Sequence, residues 1–260
     1  MFKKLGIGFV VILALVIIAY FGMKSDPEIE TDISQQQSGP QQIRRAEPVR
    51  ELPPTPPEVA TTYNLTGDLP TLDSSDDVLF NHLSMLLSSV RLGLLNNDQF
   101  IRKAVLQVDN AAKGNLVYQH SPLRAPLGNL EIMNQEDGTL YINPESYARY
   151  NVYGDLMASI DTGLMVAYYR FYEPLLDEAY MELGYPEGSF RGTLITAIDQ
   201  ALAAPVIDGP VELSQPEANY VYANESLESL NMVQKQLLRM GPENTTKIQD
   251  ALQRFKARIQ

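Results

Sequence analysis

From residue 72 to the C-terminus, apolar positions recur mainly at intervals of three and four, the period of an amphipathic helix. LDSSDDVLFNHLSMLLSSV opens with Ser and Asp, which cap helix N-termini, then sets Val78, Leu79, Leu83, Leu86 and Leu87 on one stripe. NNDQFIRKAVLQVDN repeats the logic, with Asn97 as the expected cap and Ile101, Val105 and Val108 facing inward. NLEIMNQEDGTLYINP alternates instead, and its Asp137-Gly138 pair predicts a small hairpin. Pro144 suits the first turn of a helix carrying Tyr147 and Tyr150. A long helix is expected over 162–183, stopped by Gly184 and Pro186, and another over 190–204, stopped by Pro205. PVELSQPEANYVYAN reads as a second extended pair around Pro216.

Two last helices flank Gly241-Pro242. Gly241 suits the left-handed position that ends one helix, and Pro242 the first turn of the next. Glu243 then falls at a positive helix end, while Arg239 complements the negative end before it. The expected fold is therefore mainly α: a single helical domain with one or two small β-hairpins over residues 71–260.

Ahead of that domain the pattern is different. Residues 5–23, LGIGFVVILALVIIAYFGM, carry no charge and as a helix would span ~28 Å, close to the hydrocarbon thickness of a bilayer. Lys3 and Lys4 could head a cleaved signal peptide, but the apolar run is too long and no A-x-A-like site follows. An uncleaved transmembrane anchor is expected. The lysine bias puts residues 1–4 in the cytoplasm and the remainder outside. Residues 24–70 hold eight prolines and a Gln35-Gln36-Gln37 run, so they read as a disordered spacer.

Charge narrows the partners. The chain carries a net −12; residues 71–233 hold 22 acidic against 8 basic side chains, whereas 234–260 balance at +4. An acidic body repels phosphate backbones, so no nucleic acid is expected as a partner. The basic tail reads as a solvated face docked on the acidic body. The absence of cysteine removes thiol chemistry and disulfides, and two histidines exclude a multi-histidine metal site. No cofactor or metal is expected. Nucleophile elbows, Walker loops, H-E-x-x-H, S-x-x-K and EF-hand loops are absent from the sequence.

A few residues remain as candidates. Asp161 resembles an N-cap and Asp109 lies near a helix end. Asp199 has apolar neighbours Ile195 and Leu202 at i−4 and i+3, so it is expected to face the core and pair with an arginine such as Arg102, Arg170 or Arg239. Glu173, Asp177, Glu178 and Glu182 form an acidic flank that could be a solvated face, a dock for the basic tail or a divalent-cation site. Nine of the fourteen tyrosines lie between 141 and 185, suiting either a sugar or peptide surface or a helical core. His82 reads as a boundary histidine of an amphipathic helix.

Three blocks, LYINPESYARY (140–150), SFRGTLITAIDQALAAP (189–205) and QKQLLRMGPEN (234–244), resemble the bacterial family called domain of unknown function 3014 over roughly residues 70–258. The resemblance implies a bacterial envelope protein, often with an N-terminal hydrophobic segment, which would set the anchor in the inner membrane and the domain in the periplasm; it supplies no reaction. The blocks make Tyr147, Arg149, Tyr150, Asp199, Arg239 and Asn244 the candidate binding residues. The expected activity is binding of an envelope protein, peptide or cell-wall glycan. The alternative is an enzyme on an envelope substrate that uses Asp199 with Arg239.

Overall fold

The structure is a computed structural model that describes residues 67–84, 87–119, 121–185, 189–216 and 219–260. The expected membrane helix at 5–23 and nearly all of the spacer lie outside the described residues, as does Leu86 of the first stripe. Among the described residues no helix is long and apolar enough to cross a membrane.

The apolar stripes fold as their period dictates. After a 3-10 turn at Leu72–Ser74 come α1 (Ser75–Ser84), the short α2 (Ser89–Leu92) and α3 (Phe100–Ala112). A second 3-10 helix, Pro144–Tyr150, leads into α4 (Asn151–Ala158), followed by α5 (Thr162–Glu182) and α6 (Phe190–Leu202). The short α7 (Glu225–Glu228), α8 (Met232–Met240) and α9 (Pro242–Ile259) complete the chain. On α3, Phe100, Ile101, Ala104, Val105 and Val108 are fully buried; on α9, Ile248, Ala251, Leu252 and Phe255 are. The most extensive helix pairing is α3 against α6, and both α3 and α9 also pack on α5. Small residues at the buried stripe, Ala104 and Ala111 on α3 with Ala197 and Ala201 on α6, suit that close approach.

Several helix starts are capped from elsewhere in the chain. Asn97 is not the cap of α3. Gln99 adopts a left-handed conformation, φ +49°, and Asp76 of α1 accepts hydrogen bonds from the Gln99 and Phe100 backbone N–H groups at 2.6 and 2.9 Å. One carboxylate thereby satisfies two orphan donors at a helix N-terminus. Asp177 of α5 accepts from the Phe190 N–H at 3.0 Å and so satisfies one orphan donor of α6, while Ser189 accepts from the Arg191 N–H. Asp161 is the local cap expected of it, accepting from the Leu164 N–H at 2.8 Å.

The two expected hairpins are halves of one sheet. β1 (Ile132–Asn134), β2 (Leu140–Ile142), β3 (Glu212–Ser214) and β4 (Val221–Tyr222) pair antiparallel in the order 1-2-3-4. Leu140 faces Leu213 across β2 and β3, which α4, α5 and α6 separate in sequence. Closing that pair creates a second hydrophobic core: Ile132, Ile142, Ile207, Val211, Leu213, Tyr222, Leu227 and Leu238. The main helical core lies apart from it, and α8 serves both. Val233, Leu237 and Met240 face the helices, while Leu238 faces the sheet. The 3-10 helix straddles the same seam, with Tyr150 in the helical core and Tyr147 against the sheet core.

Tyrosines supply much of the helical core: Tyr150, Tyr153, Tyr168, Tyr169, Tyr172 and Tyr180 are all buried there. His82 is half-buried among Tyr168, Phe171 and Tyr172, and its Nδ1 lies 3.0 Å from the Tyr172 hydroxyl. Burial lowers the pKa of that imidazole below its ordinary 6.5.

Candidate functional site

The seam between the two cores gathers five of the six candidate residues. At its C-terminal end α8 turns sharply into α9 at Gly241. The glycine has φ +81° and ψ 164°, so it is not in the left-handed helical region expected of it but in an extended region essentially reserved for glycine. A Cβ there would lie 2.5 Å from Cγ of Tyr147, whose ring fills the space beside the turn. Pro242 begins α9 as its missing N–H allows.

The first turn of α9 then caps the end of α8. Thr245 Oγ1 donates to the Leu237 carbonyl at 2.6 Å, and the Gly241 N–H to Leu238 at 3.1 Å. Asn244 is 1 % exposed; its amide donates to the Met240 carbonyl at 3.0 Å, to Asn151 Oδ1 at 3.0 Å and to the Tyr147 carbonyl at 3.2 Å. One side chain thus ties α8, α9, the 3-10 helix and α4 together. It fits only because position 154 is glycine: a Cβ at Gly154 would lie 3.1 Å from Asn244 Cγ and closer still to Oδ1. The corner has a structural task for Asn244, and that task keeps the amide away from solvent.

One turn back along α8 the surroundings are polar and less settled. Arg149 lies over the Tyr150 ring, 4.7 Å from its centroid, and donates to the Tyr150 hydroxyl at 2.8 Å and the Gly128 carbonyl at 3.2 Å. Its Nε is buried with no hydrogen-bond partner among the described residues. Gln236 is fully buried, and neither its Nε2 nor its Oε1 has a well-formed hydrogen bond. The amide nonetheless lies near enough to the Tyr150 hydroxyl to favour its anion. The Tyr118 hydroxyl is likewise buried without a partner among the described residues.

Half-buried Arg239 sits at the centre of this group. Its positive charge opposes the effect of burial on Tyr118, Tyr150 and Tyr222. Burial dominates in each case: Tyr118 and Tyr222 are pushed up to about 12, and Tyr150 is raised. All three phenols therefore stay protonated at neutral pH. The cluster presents guanidinium charge and neutral O–H and N–H donors, a chemistry suited to binding an acceptor group.

Asp199 departs from expectation. Its side chain is 53 % exposed and forms an ion pair with Lys256 of α9, not with Arg102, Arg170 or Arg239. The buried stripe of α6 is Phe190, Leu194, Ala197, Ile198 and Ala201; Ile195 and Leu202, used to predict an inward Asp199, are themselves only half-buried at the margin. Three of the four acids on the α5 flank are engaged inside the domain, and Glu178 is exposed. Glu173 pairs with Arg191 at 2.6 Å, Glu182 with Arg102 at 2.6 Å, and Asp177 caps α6. Among the described residues no group of His, Asp or Glu could hold a metal ion. The basic tail docks on other acids: Lys247 meets Asp155 at 2.8 Å and Glu243 at 2.5 Å, and Lys256 meets Asp199.

Sequence reasoning found Tyr147, Arg149, Tyr150, Arg239 and Asn244 through their blocks but missed Gln236, Tyr118, Tyr222 and Gly154 as their neighbours. Gln236 carried a usable signal, a polar side chain flanked by the apolar Val233 and Leu237 on α8.

Beside the corner Tyr147, Pro205, Val206, Leu238 and Pro242 line a small cleft of about 10 Å3, room for roughly one water. Its volume is below the ~300 Å3 at which small-molecule pockets begin. No curated protein and no solved structure matches the chain. Residues 100–256, more than half of the chain though starting later than the roughly 70–258 expected, match the sequence model of a family described as protein of unknown function (DUF3014), and the protein is a member of that family.

Proposed function

We propose that this is a tethered binding protein of the bacterial envelope. Residues 5–23 anchor it in the inner membrane with the N-terminus in the cytoplasm, residues 24–70 space it away, and the helical domain binds a protein, peptide or glycan in the periplasm. The observation that carries the binding role is the seam cluster. Arg149, Gln236 and Tyr118 hold buried polar atoms without partners beside Arg239, and native folds seldom keep such atoms without a use for them. The enzyme alternative lacks such support, because the carboxylate of Asp199 is exposed and engaged by Lys256.

The test is capture from envelope extracts by the full chain in detergent, against residues 1–70 alone as control. The expected result is an envelope component retained by the full chain and absent from the control. Equal recovery on both would overturn the binding role.

A further inference from the structure

We infer that the seam cluster is a carboxylate site, with Arg149 and Arg239 as its cationic rim and Gln236 as its floor. The inference rests on the binding role proposed above and names the chemistry of what is bound. None of the ion pairs among the described residues engages Arg149; a carbonyl, a hydroxyl and a ring face surround it instead. In a body with 22 acids against 8 bases, a guanidinium kept half-buried and away from any internal carboxylate is available to one from outside.

The donor inventory selects the ligand. Among the described residues Arg149 Nε–H, Gln236 Nε2–H and the Tyr118 hydroxyl lack acceptors, and Arg239 adds charge beside them. A carboxylate offers two oxygens with about four acceptor positions, matching that set. A phosphate dianion would bring twice the charge against an acidic body, and a neutral amide would leave the guanidinium charge unanswered. Burial orders the approach: Arg149, Arg239 and Tyr118 are half-exposed, while Gln236, Tyr150 and Tyr222 are buried behind them. An incoming carboxylate meets the arginines first and takes Arg149 from the Tyr150 ring as it reaches the floor.

The protein has no tryptophan, so its ultraviolet emission is that of its tyrosines, and Tyr118, Tyr150 and Tyr222 report on the site directly. The experiment titrates the full chain in detergent with acetate, with N-acetyl-dialanine, with the C-terminal amide of that dipeptide, and with inorganic phosphate at matched ionic strength. A saturable change is expected with the two carboxylates and not with the amide or phosphate. A larger affinity for the dipeptide assigns the source to a peptide end; equal affinities assign it to free carboxylates. Arg149→Gln and Arg239→Gln are each expected to weaken binding about tenfold or more. Arg149→Lys, which keeps the charge and loses the Nε donor, stands in if the glutamine variant unfolds, and it is expected to weaken binding by a smaller factor.

An equal response to the amide or phosphate, unchanged affinity in the arginine variants, or no saturation by ~10 mM acid overturns the carboxylate site. The two readings fail separately. Envelope capture that N-acetyl-dialanine does not compete with sinks the carboxylate site and leaves the binding role standing. Dipeptide binding without any envelope capture does the reverse.

Discussion

Positions 236 and 244 lie eight residues apart in one sequence block, on either side of the Gly241 turn, and both are buried amides, yet the fold treats their donors differently. The Asn244 Nδ2 group donates among three acceptors and caps the helix before it, while its Oδ1 is buried without a partner among the described residues. Gln236 is at 0 % exposure with both amide atoms unmatched. The difference follows from what surrounds each. Asn244 sits where a helix has just ended, so unpaired backbone carbonyls are within reach. Gln236 sits within α8, whose backbone satisfies itself, and its neighbours are phenols and guanidiniums. A polar side chain buried at a helix end supports the fold, whereas one buried against a helix interior has to find partners elsewhere. The corner and the cluster thus divide the block into a part explained by folding and a part that is not.

The comparison breaks most easily at Gly241. Alanine there must adopt φ +81° with ψ 164°, a conformation costing about 1–3 kcal/mol, and its methyl must displace the Tyr147 ring. Gly241→Ala is expected to lose ~3 kcal/mol or more in urea unfolding of the full chain. A loss under ~0.5 kcal/mol would mean that the corner relaxes freely and does not fix the seam.

Gly154 and Asn244 give a finer reading of the same corner. Gly154→Ala pushes a methyl against the Asn244 amide and is expected to cost ~2 kcal/mol. Asn244→Ala strips the amide from the Met240 and Tyr147 carbonyls and is expected to cost ~2–3 kcal/mol. In the double variant the methyl no longer meets an amide, so the two losses should fall short of additivity by ~1 kcal/mol. Strict additivity would show that the packing between them is not what restricts position 154 to glycine.

How much of this was legible from the sequence depends on how far each determinant reaches. Helix stripes such as Ile101, Val105 and Val108 are local patterns, and all three are fully buried as read. Asp161 capped its own helix and was found; Asp76 caps α3 from another helix, which no local rule could show, and Asn97 was chosen in its place. Both extended pairs were visible as pairs. Their fusion into one sheet needed the Leu140–Leu213 register, set by how three intervening helices pack. Asp199 was misplaced because its i−4 and i+3 neighbours lie at the edge of the buried stripe, not within it. Of the site, the block residues were found by resemblance, while Gln236 and Tyr118 became candidates only through partners they lack.

The smallest expected effect on stability is also the one that separates the two regions most sharply. Removing a side chain whose donor is matched, as at Asn244, leaves its carbonyl partners to bear the cost of burial; removing one with neither amide atom matched relieves that cost. Gln236→Leu keeps most of the volume, replaces the unmatched amide with carbon, and gives up only a weak influence on the Tyr150 hydroxyl. Leucine is also as good a helix former as glutamine, so α8 itself is not weakened. The expected change in unfolding free energy is within ~1 kcal/mol of zero, with gain more natural than loss, against the ~2–3 kcal/mol lost at Asn244. Carboxylate binding should fall in the same variant, because the floor donor is gone. A Gln236→Leu protein that lost ~2 kcal/mol or more would place Gln236 among the residues that hold the seam together, and the division between corner and cluster would fall with it.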